Sequence, residues 1–159
     1  AVLKGLLTPV MESSVNYVNA PILAKERGIQ VVESKSSKAG DFSSSITVKI
    51  ATGDREVEVE GAIFGDKHPR IVRVDNFYLE AAPEGYILIL RNRDVPGVVG
   101  NVGTILGKNG INIAGMELGR GAKGGNAISF IHVDDQIPRE TMKELRNLPQ
   151  TVSAELVKL

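Results

Sequence analysis

The chain has 159 residues, with 19 basic and 19 acidic side chains and 42% hydrophobic content. That is room for one domain or two small ones, and the balanced charge excludes the basic field that nucleic-acid binding uses. The absence of cysteine excludes disulfides and thiolate chemistry, and two histidines are too few for a conventional zinc site. No apolar run approaches the roughly 18 residues of a membrane span. No signal peptide is visible, so a reducing, cytoplasmic setting fits. The sequence begins at Ala1 rather than Met, as a fragment or a processed form would.

Taken in chain order, Thr8-Pro9 predicts a helix start, with Thr as N-cap and Pro at the first helical position. Val10, Met11, Val15 and Val18 follow as its apolar positions. Asn19-Ala20-Pro21 interrupts, because proline disfavours a helical residue before it. The helix resumes through "ILAKERG", with Gly28 as its C′ residue. "IQVVESK" predicts a strand and "SSKAGDFSS" a polar loop. "SITVKIATGDREVEVEGAIFG" predicts a hairpin that turns at Thr52-Gly53-Asp54, with Ile46, Val48, Ile50, Val57 and Val59 alternating. "RIVRV" and "FYLE" are short strands, and turn-rich "EAAPEG" is the expected boundary.

The second half opens with the strand "YILILR". A helix is predicted from about Val98 to Lys108, with Val98, Val99, Val102, Ile105 and Leu106 on one face and Gly110 ending it. "INIAGMELGR" and "NAISFIHV" are strands around the loop "GAKGG". Pro138 opens a helix through "RETMKELRNL", and "TVSAELVKL" closes as a strand. The order β-α-β-β-α-β is the split βαβ, or ferredoxin-like, pattern. Two helices then cover one face of a four-stranded antiparallel sheet. The expected architecture is therefore α+β. A domain of mixed helices and antiparallel sheet, residues 1 to 84, precedes a ferredoxin-like domain, residues 85 to 159. Small units of this kind commonly gain stability by pairing sheet edges.

"GRGAKG", Gly119 to Gly124, matches G-x-G-x-x-G, but a strand follows it. A dinucleotide site needs a helix there, so the glycines are expected to form a hairpin loop. Asp134-Asp135 precede Pro138 and are read as helix N-terminal electrostatics rather than paired catalytic carboxylates. His132 has no second His or Cys near it, so no metal site is expected. Lys67, His68, Arg70 and Arg73 gather in "FGDKHPRIVRV". They are either a solvated face or an anion pocket, which Lys38 joins only if the fold brings it there.

The stretch "NRDVPGVVGNVGTILGKNGINI" carries the strongest signal. Pro96-Gly97 turns into a helix whose first amides, including Val98 and Val99, lack intrahelical partners. Such a terminus suits a carboxylate. Asp94 is placed to accept from an ammonium group. Asn92 lies two residues earlier on the same side of the strand, and Asn112 is expected near the same end of the sheet. Together these groups match an amino-acid zwitterion; the alternative is that Asn92 and Asp94 only cap a turn. No catalytic constellation accompanies them.

"RDVPGVVGNVGTILGKNGINIAGMELGR" resembles an ACT domain, the ligand-sensing module of amino-acid metabolism. "LKGLLTPVMESSVNYVNAPILAKERGIQVVESKS", the later "GDF" and "GAIFGDKHPRIVRVDNFYLE" resemble the intervening, allosteric substrate-binding domain of the long-form D-3-phosphoglycerate dehydrogenase family. The resemblance implies a regulatory C-terminal portion of an enzyme that oxidises 3-phosphoglycerate with NAD in serine synthesis. The NAD site would lie in a catalytic part outside this chain. It implies L-serine as feedback effector, bound between paired ACT domains of a homo-oligomer. The contacts would map to Asn92, Asp94 and Asn112, with amides around Val98 and Val99. It further implies an anion site for which Lys38, Lys67 and Arg70 are the candidates.

Two other readings remain at this level. One is the regulatory region of another amino-acid enzyme such as an L-serine dehydratase, whose iron–sulfur cluster would need cysteines from elsewhere. The other is an oligomerisation module that binds no ligand. A complete small enzyme is disfavoured by the missing catalytic residues.

Overall fold

The structure is a computed structural model and describes all residues except Glu12, Ser13, 37–41, Ser43, Asp54 and Asp66. The chain divides into two compact units, Ala1–Gly40 and Asp41–Leu159.

The first unit holds helix α1 (Val2–Leu7), a 3-10 turn (Thr8–Val10) and helix α2 (Ala20–Glu26). Leu7, Ala20 and Ala24 form its core, with Leu3, Met11, Val15, Leu23 and Ile29 packed around them. The predicted start at Thr8 is corrected. Thr8 ends α1 instead, its hydroxyl donating to the Lys4 carbonyl at 2.7 Å. Among the described residues, no α-helix runs from Met11 to Val18, and between Asn16 and Asn19 side-chain acceptors take the amides a helix would use. Asn16 Oδ1 accepts from the amides of Val18 and Asn19, and Asn19 Oδ1 accepts from that of Asn16. Asn16→Ala should therefore lower stability by about 1 kcal/mol, read as a fall in Tm. Gly28 does terminate α2 as expected. Its amide bonds to the Lys25 carbonyl and the Ile29 amide to that of Ala24, a Schellman ending. "IQVVESK" forms no strand: residues 29–36 have no regular structure, and Val32 is 91% exposed. Alternation stabilises a strand only where a sheet edge and an apolar cover receive it. Among the described residues, this unit supplies helices and no strand to pair with.

The second unit holds two antiparallel sheets. β1 (Ser45–Thr52), β2 (Arg55–Phe64), β3 (His68–Val74) and β4 (Phe77–Ala81) form a meander in chain order. β5 (Tyr86–Arg93), α3 (Val98–Lys108), β6 (Ile113–Arg120), β7 (Asn126–Val133), α4 (Arg139–Arg146) and β8 (Thr151–Lys158) follow. The second sheet has the order β6-β7-β5-β8, with every pairing antiparallel. This is the ferredoxin-like arrangement, and the fold is α+β as the element order predicts.

One face of the second sheet packs under α3 and α4. Val98, Val102 and Leu106 of α3 and Met142 and Leu145 of α4 bury against Leu88, Leu90, Ile131 and Val133. Full burial of each such side chain contributes about 1.5–3 kcal/mol. Val99, expected on that apolar face, is instead half exposed. The C-terminus of α3 repeats the Schellman ending. Gly110, at φ 72°, lets the Ile111 amide reach the Leu106 carbonyl at 3.0 Å.

The opposite face is covered too, which the strand pattern did not foretell. Val74, Leu79 and Ala81 of the first sheet meet Ile87, Ile128 and Phe130 of the second in a shared core. Here β4 comes so close to β6 that a Cβ on Gly119 would lie 2.9 Å from the Tyr78 carbonyl oxygen. Beside this core, Asp75 turns β3 into β4 at φ 52° and pairs with Arg91 of β5 at 2.8 Å.

Candidate functional site

The site is built where β5 ends and α3 begins. Gly97, at φ 92°, is the N-cap of α3, and no side chain caps it. The Asn101 amide bonds to the Gly97 carbonyl, so the amides ahead of it, those of Val98 and Val99 included, have no carbonyl within the helix to meet. These amides and the helix dipole present a positive end without a protein partner from a capping side chain.

Asn92 sits under this end. It is 3% exposed, on the face that carries Leu88 and Leu90. Its Nδ2 donates to the Arg93 carbonyl at 2.7 Å, while its Oδ1 is buried without a hydrogen-bond partner. An unpaired buried acceptor costs about 1–3 kcal/mol, so a donor supplied by a ligand has a return here. Asp94 follows, with a largely buried side chain. Its amide donates to the Gly125 carbonyl at 2.9 Å, and Arg120 Nη1 stands 3.4 Å from its Oδ2. Arg120 escaped the sequence reading, although strand register alone puts it near: it pairs with Ala127, which pairs with Asn92. Gln150 was also missed. Its carbonyl accepts from the Arg93 amide, and its Oε1 is buried without a partner.

The structure brings Asn92, Asp94, Val98 and Val99 together, but not Asn112. The expectation that Asn112 lies at the same end of the sheet is corrected. A helix crossover returns the chain to the opposite end, so Asn112 lies just ahead of β6, which reaches the Asp94 end only at Arg120. Eight strand residues put roughly 25 Å between them. Asn112 Nδ2 instead donates to Asp134 Oδ2 at 2.8 Å. Asp134 thus has a strand-edge partner beyond the helix-terminus role expected of it.

Lys38 lies outside the described residues. Lys67 is exposed in the β2–β3 turn, and Arg70 donates from Nη1 to the Pro69 carbonyl at 2.8 Å. Arg73 is not available to a ligand anion: it pairs with Glu58 and Glu60 and donates to the Asp75 carbonyl. The hydrogen bond it donates to the Glu58 carboxylate holds the Arg73 guanidinium above its ordinary, already high range. A raised folded pKa yields stability that is lost only as pH climbs through it, so Arg73 keeps its charge at any working pH.

Gly119 to Gly124 run from the end of β6 into the hairpin before β7. With strands on both sides and no helix N-terminus, this segment does not fit a dinucleotide pyrophosphate. His132 Nε2 lies 3.5 Å from Glu117 Oε2 on the face shared with the first sheet. Among the described residues, no group of His, Cys, Asp and Glu has metal-binding spacing, and no helix is long and apolar enough to cross a membrane.

Residues 1–75 match the D-3-phosphoglycerate dehydrogenase intervening domain, and residues 86–150 match the ACT domain. The whole chain aligns with D-3-phosphoglycerate dehydrogenases of Bacillus subtilis at 42% identity and of Synechocystis at 38%. The enzyme of that name from Methanocaldococcus jannaschii aligns at 36%. The chain spans 29–30% of the length of these relatives. It therefore belongs to the intervening-domain and ACT-domain families, and corresponds to the C-terminal regulatory region of D-3-phosphoglycerate dehydrogenase.

Proposed function

We propose that this chain senses L-serine for feedback control of an NAD-dependent, cytoplasmic 3-phosphoglycerate dehydrogenase, and carries no catalysis itself. Its intervening domain would be residues 1–84 and its ACT domain residues 85–159. The observation that carries the reading is the convergence of Asn92 and Asp94 on the uncapped start of α3. The amides of Val98 and Val99 take the ligand carboxylate, Asp94 the ammonium, and Asn92 Oδ1 a hydroxyl proton.

Asn112 enters from a second copy. β6 is an edge strand of its sheet. Antiparallel pairing of two β6 edges sets the start of one beside the end of the other, so Asn112 of one copy meets Asp94 of its mate. A ligand held across that seam stabilises the pair by linkage. It biases a distant active site by no more than its differential affinity for the two arrangements. Lys38, Lys67 and Arg70 remain the candidates for a secondary anion site, for which inorganic phosphate is the first probe.

Calorimetry of the chain with L-serine, with D-serine and glycine as controls, tests this. Stereoselective binding near one site per chain is expected. Asp94→Ala should weaken it at least roughly tenfold with little change in Tm, because the ammonium loses a charged partner. Unchanged affinity in that variant removes Asp94 from the site. Absence of heat, with an unmoved melting curve, favours an assembly module.

A further inference from the structure

Arg120 closes β6 in the same cross-strand row as Ala127 and Asn92, on the face that α3 covers. Its guanidinium Nη1 lies 3.4 Å from Asp94 Oδ2, with the arginine side chain 53% exposed and that of Asp94 20%. Asp94 does not need this contact for its position. Its amide is already bonded to the Gly125 carbonyl, and the hairpin that supplies Gly125 is closed by the bond from the Gly125 amide to the Ala122 carbonyl. What Arg120 adds is charge.

We infer that Arg120 is a built-in competitor for the ammonium of the amino-acid ligand, and so sets the concentration at which the site fills. This rests on the zwitterion reading of the site and goes beyond it. In the empty site the guanidinium partly neutralises Asp94. An incoming ammonium makes a second cation on one carboxylate, and the two repel. The ligand therefore gains Asp94 only as Arg120 swings outward, which its half-exposed position and the glycine-rich segment after it permit. A ligand that carries a hydroxyl where the amino acid carries its ammonium does not compete. It meets an Asp94 whose charge is already offset, and loses by the removal of Arg120.

The test is calorimetry of wild type, Arg120→Gln and Arg120→Lys with L-serine and with L-glycerate, which replaces the ammonium by a hydroxyl. Arg120→Gln should bind L-serine roughly two- to fivefold more tightly, the scale of a partly exposed ion pair, and L-glycerate no more tightly than wild type. Arg120→Lys should restore wild-type affinity. Serine affinity that is equal or weaker in Arg120→Gln, at an unchanged Tm, overturns the inference and leaves the serine site standing. A gain shared equally by L-glycerate also overturns it. Absence of serine binding by wild type overturns the site reading and this inference together.

Discussion

Gly119→Ala is expected to cost about 2–3 kcal/mol of unfolding free energy, seen as a lower denaturant midpoint at an unchanged slope. The added methyl would stand 2.9 Å from the Tyr78 carbonyl oxygen, 3.0 Å from Phe77 Cβ and 3.2 Å from Ile128 Cγ2. Two of these three neighbours are fixed by the backbone of β4, so no rotamer change relieves them. The methyl must push β4 off β6 and loosen the core of Val74, Leu79 and Ala81 on Ile87, Ile128 and Phe130. Gly115 provides the control. It lies on the same face of β6, but a methyl there meets nothing closer than 3.8 Å. Gly115→Ala should change stability by no more than about 0.5 kcal/mol. Equal losses at the two positions would show that strand flexibility, not the close approach of the sheets, governs Gly119.

The same residue shows what a sequence displays and what it hides. In "GRGAKG" the first glycine looks like part of a phosphate loop, or of a flexible hairpin. Its reason is neither: a carbonyl from a strand some forty positions earlier occupies the space of its Cβ. Long-range packing of this kind leaves no periodic mark. Elements whose stability is local or amphipathic were legible. α3 runs from Val98 to Lys108 as its spacing predicts, and the β1–β2 hairpin pairs Ile46, Val48 and Ile50 as its alternation predicts. Failures came where side chains compete with backbone, as at Asn16 and Asn19, or where a strand pattern meets no sheet, as at Val31 and Val32. The placement of Asn92 and Asp94 just ahead of α3 was legible because strand parity and a Pro-Gly turn are local. The distance of Asn112 was not, because the crossover sends β6 back from the far end. Arg120 was hidden for the converse reason. Its proximity to Asp94 arises from hairpin register, and charge at a strand end reads as solvation until the register is known.

Asp75→Ala is expected to cost about 3 kcal/mol, because three separate terms fall together. Asp75 Oδ1 accepts from the Glu58 amide at 3.0 Å, Oδ2 pairs with Arg91 at 2.8 Å, and the backbone sits at φ 52°. Aspartate tolerates that left-handed conformation better than alanine, since its short polar side chain bonds locally. A graded series separates the terms. Asp75→Asn keeps the acceptor and the backbone preference but loses the charge, and should cost about 1 kcal/mol, since the pair is part exposed. Asp75→Gly relieves the backbone but loses both contacts, and should fall near 2 kcal/mol. If alanine were no worse than asparagine, the Glu58 contact and the backbone would contribute nothing and the ion pair everything. The functional readout is separate from the stability one. Arg91 neighbours Asn92 in β5, yet the two side chains face opposite sides of the sheet, Arg91 toward Asp75 and Asn92 toward the helices. Asp75→Asn should therefore leave serine affinity within about twofold, the size of a small indirect effect. A larger change would mean that the contact between the sheets is felt at the start of α3, and that the first sheet takes part in setting ligand affinity.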